Sequence, residues 1–536
     1  MIFWRYQVPK TRRKARASFI GLVNVNNDSI QKTIFLLQNT RNPLAVPVLG
    51  AAIPNVPEPV RSRILSALVA RGDAASMEVI AKNYHLYNEK ERALVAMRAR
   101  QLSKLVLGLL EGSDSERKAA IEAICHLEVM EGVRSVIAIA ENKADPLAVY
   151  AQDRIYNWGL ALNHSSRAHS RARTELVEHL YQSLQRFDQH GCSLLVDALM
   201  ATMHWDDSAV GVLLRTTTSR PFEHFLKSLR QSSRKEAIQL LIDSLHQRQV
   251  PQTLLDLFYE RKDKGFTEAF GNWAAKGLCT NARMNLVGMR DLPCFQNVQA
   301  NDTEWTSAVR RGVWMAYAAA GAPLHQILQA VLQFLSLKTA DDEATACLLL
   351  SSLPPISFEK GVRDFLSIRQ CDMDQVTHCY VRLLEEIPHQ PKPVQKAIKQ
   401  LFSEFHFQAF IHNLDRWDAL RARSIANVVK TVDDDWTTQL QEYLTSLSPK
   451  KRETGLIAAM HIGIETDAHW DAVVEAIYDE QQPVRLRAIS LLPHCKQLEV
   501  ENILHELLHD NDSSVRDAAE TSLEQRFLQV HVGEFE

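Results

Sequence analysis

Four short segments in the C-terminal part of the chain repeat one pattern at a nearly constant spacing. They begin at Leu420, Lys451, Val484 and Val515, so successive copies lie 31, 33 and 31 residues apart. A segment near the N-terminus, residues 59–64, closely matches residues 483–488. Self-similarity at a period of this length is typical of repeat proteins, so the repeat constrains the fold more strongly than any single motif.

Within each copy the apolar residues recur with the spacing of an α-helix. In one copy Val484 is followed at this spacing by Ala488 and Leu492, and in the next copy Val515 is followed by Ala519. Residues at i, i+4 and i+8 share one face of a helix, and a second apolar helical stretch precedes the copies. A helix pair of about 31 residues cannot cover its own apolar face, whereas stacked neighbouring pairs bury it. The sequence therefore predicts an all-α protein of stacked antiparallel helix pairs.

The composition agrees with a helical and soluble chain. Of the 536 residues, 46% are hydrophobic and 23% are charged, which excludes wholesale disorder. Gly and Pro number only 19 each, which disfavours a loop-rich or all-β protein. The eight Cys are scattered as expected for reduced thiols, and no apolar run is long enough to span a membrane. We therefore expect a soluble protein located in the cytoplasm.

An acidic residue stands six positions before the Arg of several copies. The pairs are Asp415 and Arg421, Asp479 and Arg485, and Asp510 and Arg516. An Asp in the turn between two helices can accept hydrogen bonds from helix N-terminal amides and from an Arg of its own or the next repeat. Repeated along a stack, such pairs would form a ladder, to which Arg61 of the N-terminal copy also belongs. The copy at Lys451 departs from this pattern, because Lys451 replaces the apolar residue and Ser446 replaces the Asp, so the pattern does not predict a rung there.

This arrangement of helix pairs, turn Asp and helix-start Val-Arg resembles HEAT repeats, especially the short HEAT-like kind related to phycobilisome lyase-type repeats. The match is specific in residues 410–527, fair in 40–160 and weak in between. The resemblance implies a right-handed, armadillo-like α-solenoid with a period of about 31–33 residues. Several Trp, Trp314 among them, are expected mostly to pack between repeats, and any that is exposed on the inner row would be an interface candidate.

The resemblance also implies a class of function, because HEAT-like arrays are mostly scaffolds and adaptors. The sequence contains none of the glycine-rich phosphate motifs and no G-x-S-x-G elbow. We therefore expect a non-enzymatic protein-binding scaffold without a cofactor, which presents a concave helical surface to a protein partner. One alternative is a HEAT-like lyase or a solenoid that binds nucleic acid and processes its bases. That alternative predicts Lys and Arg clustered on the inner helices.

The repeat pattern weakens at two places, which divides the chain into four parts. Residues 1–26 form a basic N-terminal segment, 27–275 an N-terminal array, 276–305 an irregular insertion, and 306–536 a C-terminal array. The insertion is interpreted either as a binding loop or as a packed structural segment. The only residues that we expect to bind an anionic surface or nucleic acid are basic residues of the first part. They are Arg5, Lys10, Arg12, Arg13, Lys14 and Arg16.

One segment matches a metal-binding motif. His505, Glu506 and His509 form H-E-x-x-H, which on a helix places two imidazoles one turn apart around a zinc ion. Leu504 and Leu507 of the same segment fit the apolar face of a repeat helix, and a third ligand has no clear candidate. A zinc hydrolase is therefore the less favoured alternative, and a coincidence within the repeat is the preferred interpretation.

Overall fold

The described part of the chain, residues 27–163, 170–367 and 375–532 of the computed structural model, consists of α-helices joined by turns and short 3-10 segments, without a strand. The helices divide into two compact units, one ending at Arg261 and one beginning at Lys262. The six basic residues that the sequence singles out between Arg5 and Arg16 lie outside the described residues.

The first unit alternates between two rows of helices. Its helices are α1 (Asn27–Asn39), α2 (Ala45–Ala52), α3 (Glu58–Arg71), α4 (Ala74–Lys82), α5 (Glu89–Ala96), α6 (Ala99–Gly108), α7 (Asp114–Leu127), α8 (Met130–Glu141), α9 (Ala148–Asn163), α10 (Arg171–Gln185), α11 (Phe187–His190), α12 (Ser193–Thr202), α13 (Ser208–Arg215), α14 (Arg220–Gln231), α15 (Lys235–Asp243) and α16 (Gln252–Glu260). The first row is α1, α3, α5, α7, α9, α12 and α15, and the second is α2, α4, α6, α8, α10, α14 and α16.

The second unit, taken by itself, also alternates between two rows of helices. Its helices are α17 (Lys264–Ala274), α18 (Thr280–Leu286), α19 (Pro293–Asn297), α20 (Ser307–Ala319), α21 (Leu324–Leu337), α22 (Ala340–Ser352), α23 (Phe358–Ser367), α24 (Gln375–Glu386), α25 (Lys392–Leu401), α26 (Phe407–Asn413), α27 (Ala419–Val432), α28 (Trp436–Leu444), α29 (Pro449–Ile462), α30 (Asp467–Ile477), α31 (Gln482–Leu491), α32 (Val500–Leu507) and α33 (Ser513–Val532). Its first row includes α17, α20, α22, α25, α27, α29, α31 and α33. The order is less regular between α22 and α27, because α23 packs directly on α27.

The helix boundaries follow from local sequence signals. Asp73 caps α4 by accepting a hydrogen bond from the Ser76 amide, and Gly72 ends the preceding helix in a left-handed conformation. Asn88 and Glu91 form a capping box at the start of α5. Short polar turns with such caps allow each helix to reverse into the other row after only a few residues.

The apolar stripe that predicts the stacking is buried. Val484, Ala488 and Leu492 are each at most 1% exposed, and Val515 and Ala519 are similarly covered. Each stripe packs on the neighbouring helices of its row, as the repeat argument requires. The prediction of an all-α fold of stacked antiparallel helix pairs is therefore confirmed in the described residues. Separately, none of the described helices combines the length and the hydropathy needed to cross a bilayer.

Two helices of the second unit approach each other through glycine. A Cβ atom on Gly312 of α20 would lie 1.8 Å from the backbone oxygen of Gly271 in α17. Only the absence of both side chains allows this approach. The contact explains why the second unit begins at Lys262, before the predicted insertion at residue 276, because α17 packs closely on α20.

Candidate functional site: an apolar groove in the second unit

The predicted ladder residues make contacts both within a repeat and between repeats. The Arg485 Nη1 donates to the backbone oxygen of Asp479 at 2.9 Å, and its Nη2 donates to the carboxylate of Asp512 in the next repeat at 3.1 Å. The Asp479 carboxylate accepts two hydrogen bonds from Arg452 of the preceding repeat, at 2.6 and 2.9 Å. The side chains therefore join neighbouring repeats, while the contact six residues back goes to a backbone carbonyl.

The repeat at Lys451 has a rung, which the sequence pattern does not predict. Arg452 donates to the backbone oxygen of Ser446 at 2.8 Å and pairs with Asp479. The pattern misses this rung because the contact six residues back needs only a carbonyl oxygen, which Ser supplies as well as Asp. The sequence feature that identifies a rung is the acidic residue of the following repeat, with which the Arg pairs.

Other ladder residues divide between these two kinds of contact. Arg516 donates to the backbone oxygen of Asp510 at 2.8 Å. Arg61 pairs with Glu91 in the next repeat at 3.1 Å. The structure does not bring Arg421 together with Asp415, since Arg421 pairs with the capping residue Asp418, one turn away, at 3.3 Å. Three further Arg–Asp pairs, which the repeat pattern did not indicate, lie 28, 34 and 32 residues apart in sequence: Arg117 with Asp145, Arg173 with Asp207, and Arg310 with Asp342.

The ladder carboxylates are stabilised in their charged form. Burial alone would raise the pKa of Asp479, but hydrogen bonds from Arg452 and the Gln481 amide hold that pKa below its ordinary value. The Ser514 amide, together with Arg485, lowers the pKa of Asp512. These side chains hold neighbouring repeats together. The contacts between repeats explain their position and charge, so no ligand is needed to explain them.

The H-E-x-x-H residues lie on the exposed side of the last helix pair. His505 and Glu506 are exposed on α32, while Leu504 and Leu507 are buried on its other face. His509 follows the end of that helix in a turn. Within the described ranges, no group of three or more His, Cys, Asp or Glu side chains is arranged to hold a metal ion. The H-E-x-x-H motif therefore has no third metal ligand within these ranges.

Several arginines on or beside the first row of the first unit are paired with acids. Arg92 lies 2.6 Å and Arg154 lies 3.3 Å from the carboxylate of Glu122, which is 3% exposed. Arg234 pairs with Asp197 at 3.0 Å. Paired guanidinium groups are poorly placed to neutralise phosphates. This row therefore offers no support for the nucleic-acid alternative.

The predicted insertion contains a candidate binding surface. A groove of ≈ 260 Å³ lies between α18, α20, α21 and the end of α22. We call it the insertion groove, and its lining residues are Leu278, Arg283, Met284, Val287, Met315, Ala318, Ala319, Ile327, Ser352 and Leu353. All of these except Arg283 and Ser352 are apolar.

The groove is both open to solvent and firmly supported. Met284 is 55% and Val287 is 69% exposed, although both are apolar. Directly beside them, Leu286 is fully buried, and Met289 is buried as well. Gly288 adopts a left-handed conformation, which lets the chain turn sharply after Val287. The segment is therefore packed on one side and presents apolar side chains on the other.

Aromatic packing fixes the neighbouring part of α20. Trp314 is half-buried and contacts Tyr317 edge to face, with ring centroids 5.6 Å apart. Tyr317 in turn packs on Phe295 of α19 at 4.9 Å. This chain of rings ties the insertion to the helix that supplies Met315 to the groove.

The chain that forms one wall of the insertion groove is basic up to Arg290, which Asp291 follows directly. Residues 276–290 contain Lys276, Arg283 and Arg290 but no acidic residue. All three bases are exposed, and Arg283 is the one charged residue among those that line the groove. Its Nε donates to the backbone oxygen of Leu278 at 3.2 Å, which holds the guanidinium at the groove.

Comparisons with known proteins found similar solved structures but no match in sequence. No protein-family model matches the chain, and no curated protein matches its sequence. Among solved structures, the karyopherin Kap121p bound to the SUMO protease Ulp1p aligns with 90% of this chain at 10% identity and a TM-score of 0.17, and this chain covers 66% of that one. A structure on tubulin recruitment and assembly by microtubule polymerases with Tumor Overexpressed Gene (TOG) domain arrays aligns with 90% of this chain at 12% identity and a TM-score of 0.19, with 96% of that chain covered. Neither TM-score is high enough to carry an argument about fold or function.

Proposed function

We propose that the protein is a non-enzymatic scaffold that binds a protein partner through the insertion groove. The observation that carries this proposal is the exposure of Met284 and Val287 above a fixed apolar floor. Exposed apolar surface with a polar rim is typical of protein interaction sites. Apolar side chains that stay exposed do not contribute to the stability of the fold. The repeats on either side provide a rigid frame for such a surface.

The proposal also includes the absence of catalysis and a cytoplasmic location. Support for the location comes from unpaired, buried thiols such as Cys125 and Cys294, which are typical of reducing compartments. Burial raises the pKa of Cys294 to about 12, which disfavours a role as a reactive thiolate.

The experiment is quantitative co-purification from native cells with matched surface variants. Val287→Asp places a charge in the insertion groove, whereas Leu447→Asp changes a residue that is 99% exposed in a turn elsewhere in the same unit. We expect Val287→Asp to lose a stoichiometric protein that Leu447→Asp and the parent both retain. Equal recovery of every co-purified protein by all three forms would overturn the proposal.

The same samples test the alternatives. Stoichiometric nucleic acid that survives a high-salt wash would favour the nucleic-acid solenoid instead. One zinc ion per chain that is lost in a His509→Ala variant would favour the hydrolase.

A further inference from the structure

The composition of the insertion groove indicates what kind of partner segment it accepts, an inference that rests on the proposed function. We infer that the groove binds a short acidic segment of a protein partner, which inserts one large apolar side chain between Met284 and Met315. Carboxylates beside that side chain pair with Arg283 and Lys276.

The apolar part of the inference follows from the shape and lining of the groove. Its volume of ≈ 260 Å³ far exceeds the share of liquid volume of one water molecule, which is about 30 Å³. Ile327 at its floor is 4% exposed, while Ala318 and Ala319 keep α20 from filling the space. An inserted apolar side chain therefore displaces water from apolar walls, which is favourable.

The two methionines determine how strictly the apolar side chain is selected. Met284 and Met315 are unbranched and adjust their rotamers to irregular shapes. The groove therefore accepts Leu, Phe or Met with similar affinity. Selection among partner segments must come from the charges.

The charged part of the inference follows mainly from Arg283, the one charged residue that lines the groove. An acidic residue next to the inserted side chain meets Arg283 at the edge of an apolar surface, where a charge-assisted hydrogen bond is stronger than in open water. A basic segment meets like charge instead. This argument excludes the chain's own N-terminal segment as the occupant, because Arg12, Arg13 and Lys14 give it the same sign.

The experiment measures peptide binding to the full chain by fluorescence anisotropy. The probes are three labelled peptide pools of equal length: Leu or Phe flanked by Asp and Glu, the same residues flanked by Lys, and the acidic pool with Ser replacing the apolar residue. We expect the first pool to bind at least about tenfold tighter than either of the others, with affinity falling as salt is added.

Charge reversal provides the matched variant. Arg283→Glu is expected to abolish the preference for the acidic pool and to improve binding of the Lys pool. Arg416→Glu, at another exposed position of the same unit, is expected to leave both unchanged. Equal binding of the acidic and Lys pools to the parent protein, or an acidic preference that survives Arg283→Glu, would overturn the inference.

The inference and the proposed function fail in distinguishable ways. If the peptide pools show no acidic preference while Val287→Asp still loses the native partner, the groove binds a protein of different chemistry and only the inference is wrong. If Val287→Asp loses the acidic peptides but retains every native partner, the groove is selective without being the contact surface and the proposed function is wrong.

Discussion

Two regions of the second unit are both helical, but their helices are arranged differently. From Ala419 to Val532 the helices repeat regularly, and Arg452 and Arg485 each join their repeat to the next. Between Lys276 and Leu353 the pattern is interrupted by α18 and α19, and apolar side chains stay exposed. Both regions expose large apolar side chains, among them Leu447 and Leu498 in the regular one, but in the insertion Met284 and Val287 line one groove together with Arg283. We assign stability mainly to the repeats and propose the insertion as the binding surface.

The largest expected effect comes from placing a charge in the buried apolar stripe of the regular region. Val484 is 1% exposed, so Val484→Asp buries a carboxylate without a partner and should lower the free energy of unfolding by about 4 kcal/mol or more. Urea unfolding followed by circular dichroism measures the change. A Val484→Asp protein as stable as the parent would show that the helix register derived from the repeat is wrong.

The ladder predicts a smaller loss with a defined pH dependence. Arg452→Met leaves Asp479, whose side chain is 8% exposed, without its ion pair and should cost about 3 kcal/mol at neutral pH. Because the pKa of Asp479 is lowered in the folded state, its contribution is present above the ordinary value of 3.8 and is lost as the pH falls through the folded value.

Urea unfolding of Arg452→Met and the parent at a series of pH values tests this prediction. The stability difference between the two proteins should shrink as the pH drops below about 4. A difference that stays constant down to the lowest accessible pH would mean that the pair does not act through the charge of Asp479. Arg516→Met is the matched control, because the described contacts of Arg516 go to backbone carbonyls rather than to a buried carboxylate.

A substitution at the close contact between α17 and α20 is expected to lower the free energy of unfolding by about 2 kcal/mol. A Cβ atom on Gly271 would lie 2.8 Å from the backbone oxygen of Val309, so Gly271→Ala forces α17 and α20 apart. Gly265→Ala on the same helix meets nothing closer than 3.6 Å and should leave stability unchanged or slightly raised. Thermal unfolding of both variants measures the contrast, and equal melting temperatures would contradict the close helix approach.

The smallest effect on stability is expected at the groove itself. Val287→Asp changes a residue that is 69% exposed, so the free energy of unfolding should stay within about 0.5 kcal/mol of the parent. The same urea titration measures it. A large loss would show that Val287 is covered in the folded protein, and the division between stability and binding would then fail.

The regular region was predictable from sequence because stacking imposes a fixed spacing on its residues. Val484, Ala488 and Leu492 are buried as their spacing requires. The ladder was only partly predictable, since a contact to the backbone oxygen of Ser446 leaves no trace in residue type. Its partner Asp479 follows at a distance set by the length of a repeat, which is the signal that identifies such pairs.

The groove could not be derived from any motif, because its walls come from four helices that are separated in sequence. The sequence indicated only that residues 276–305 depart from the repeat. The exposure of Met284 and Val287 depends on how α18 lies against α20, which a pattern of single residues does not encode. The basic character of residues 276–290 is visible in the sequence. Only the structure shows that an apolar groove lies beside these residues.

Site-specific photo-crosslinking in native cells tests the central claim most directly. A photoreactive amino acid replaces Val287 in one form of the protein and Leu447 in another, since both positions are exposed and apolar in the parent. The account predicts one dominant protein adduct at position 287 and none of comparable yield at position 447. Equal adduct patterns at the two positions, or a dominant adduct at 447 alone, would contradict the assignment of binding to the insertion groove.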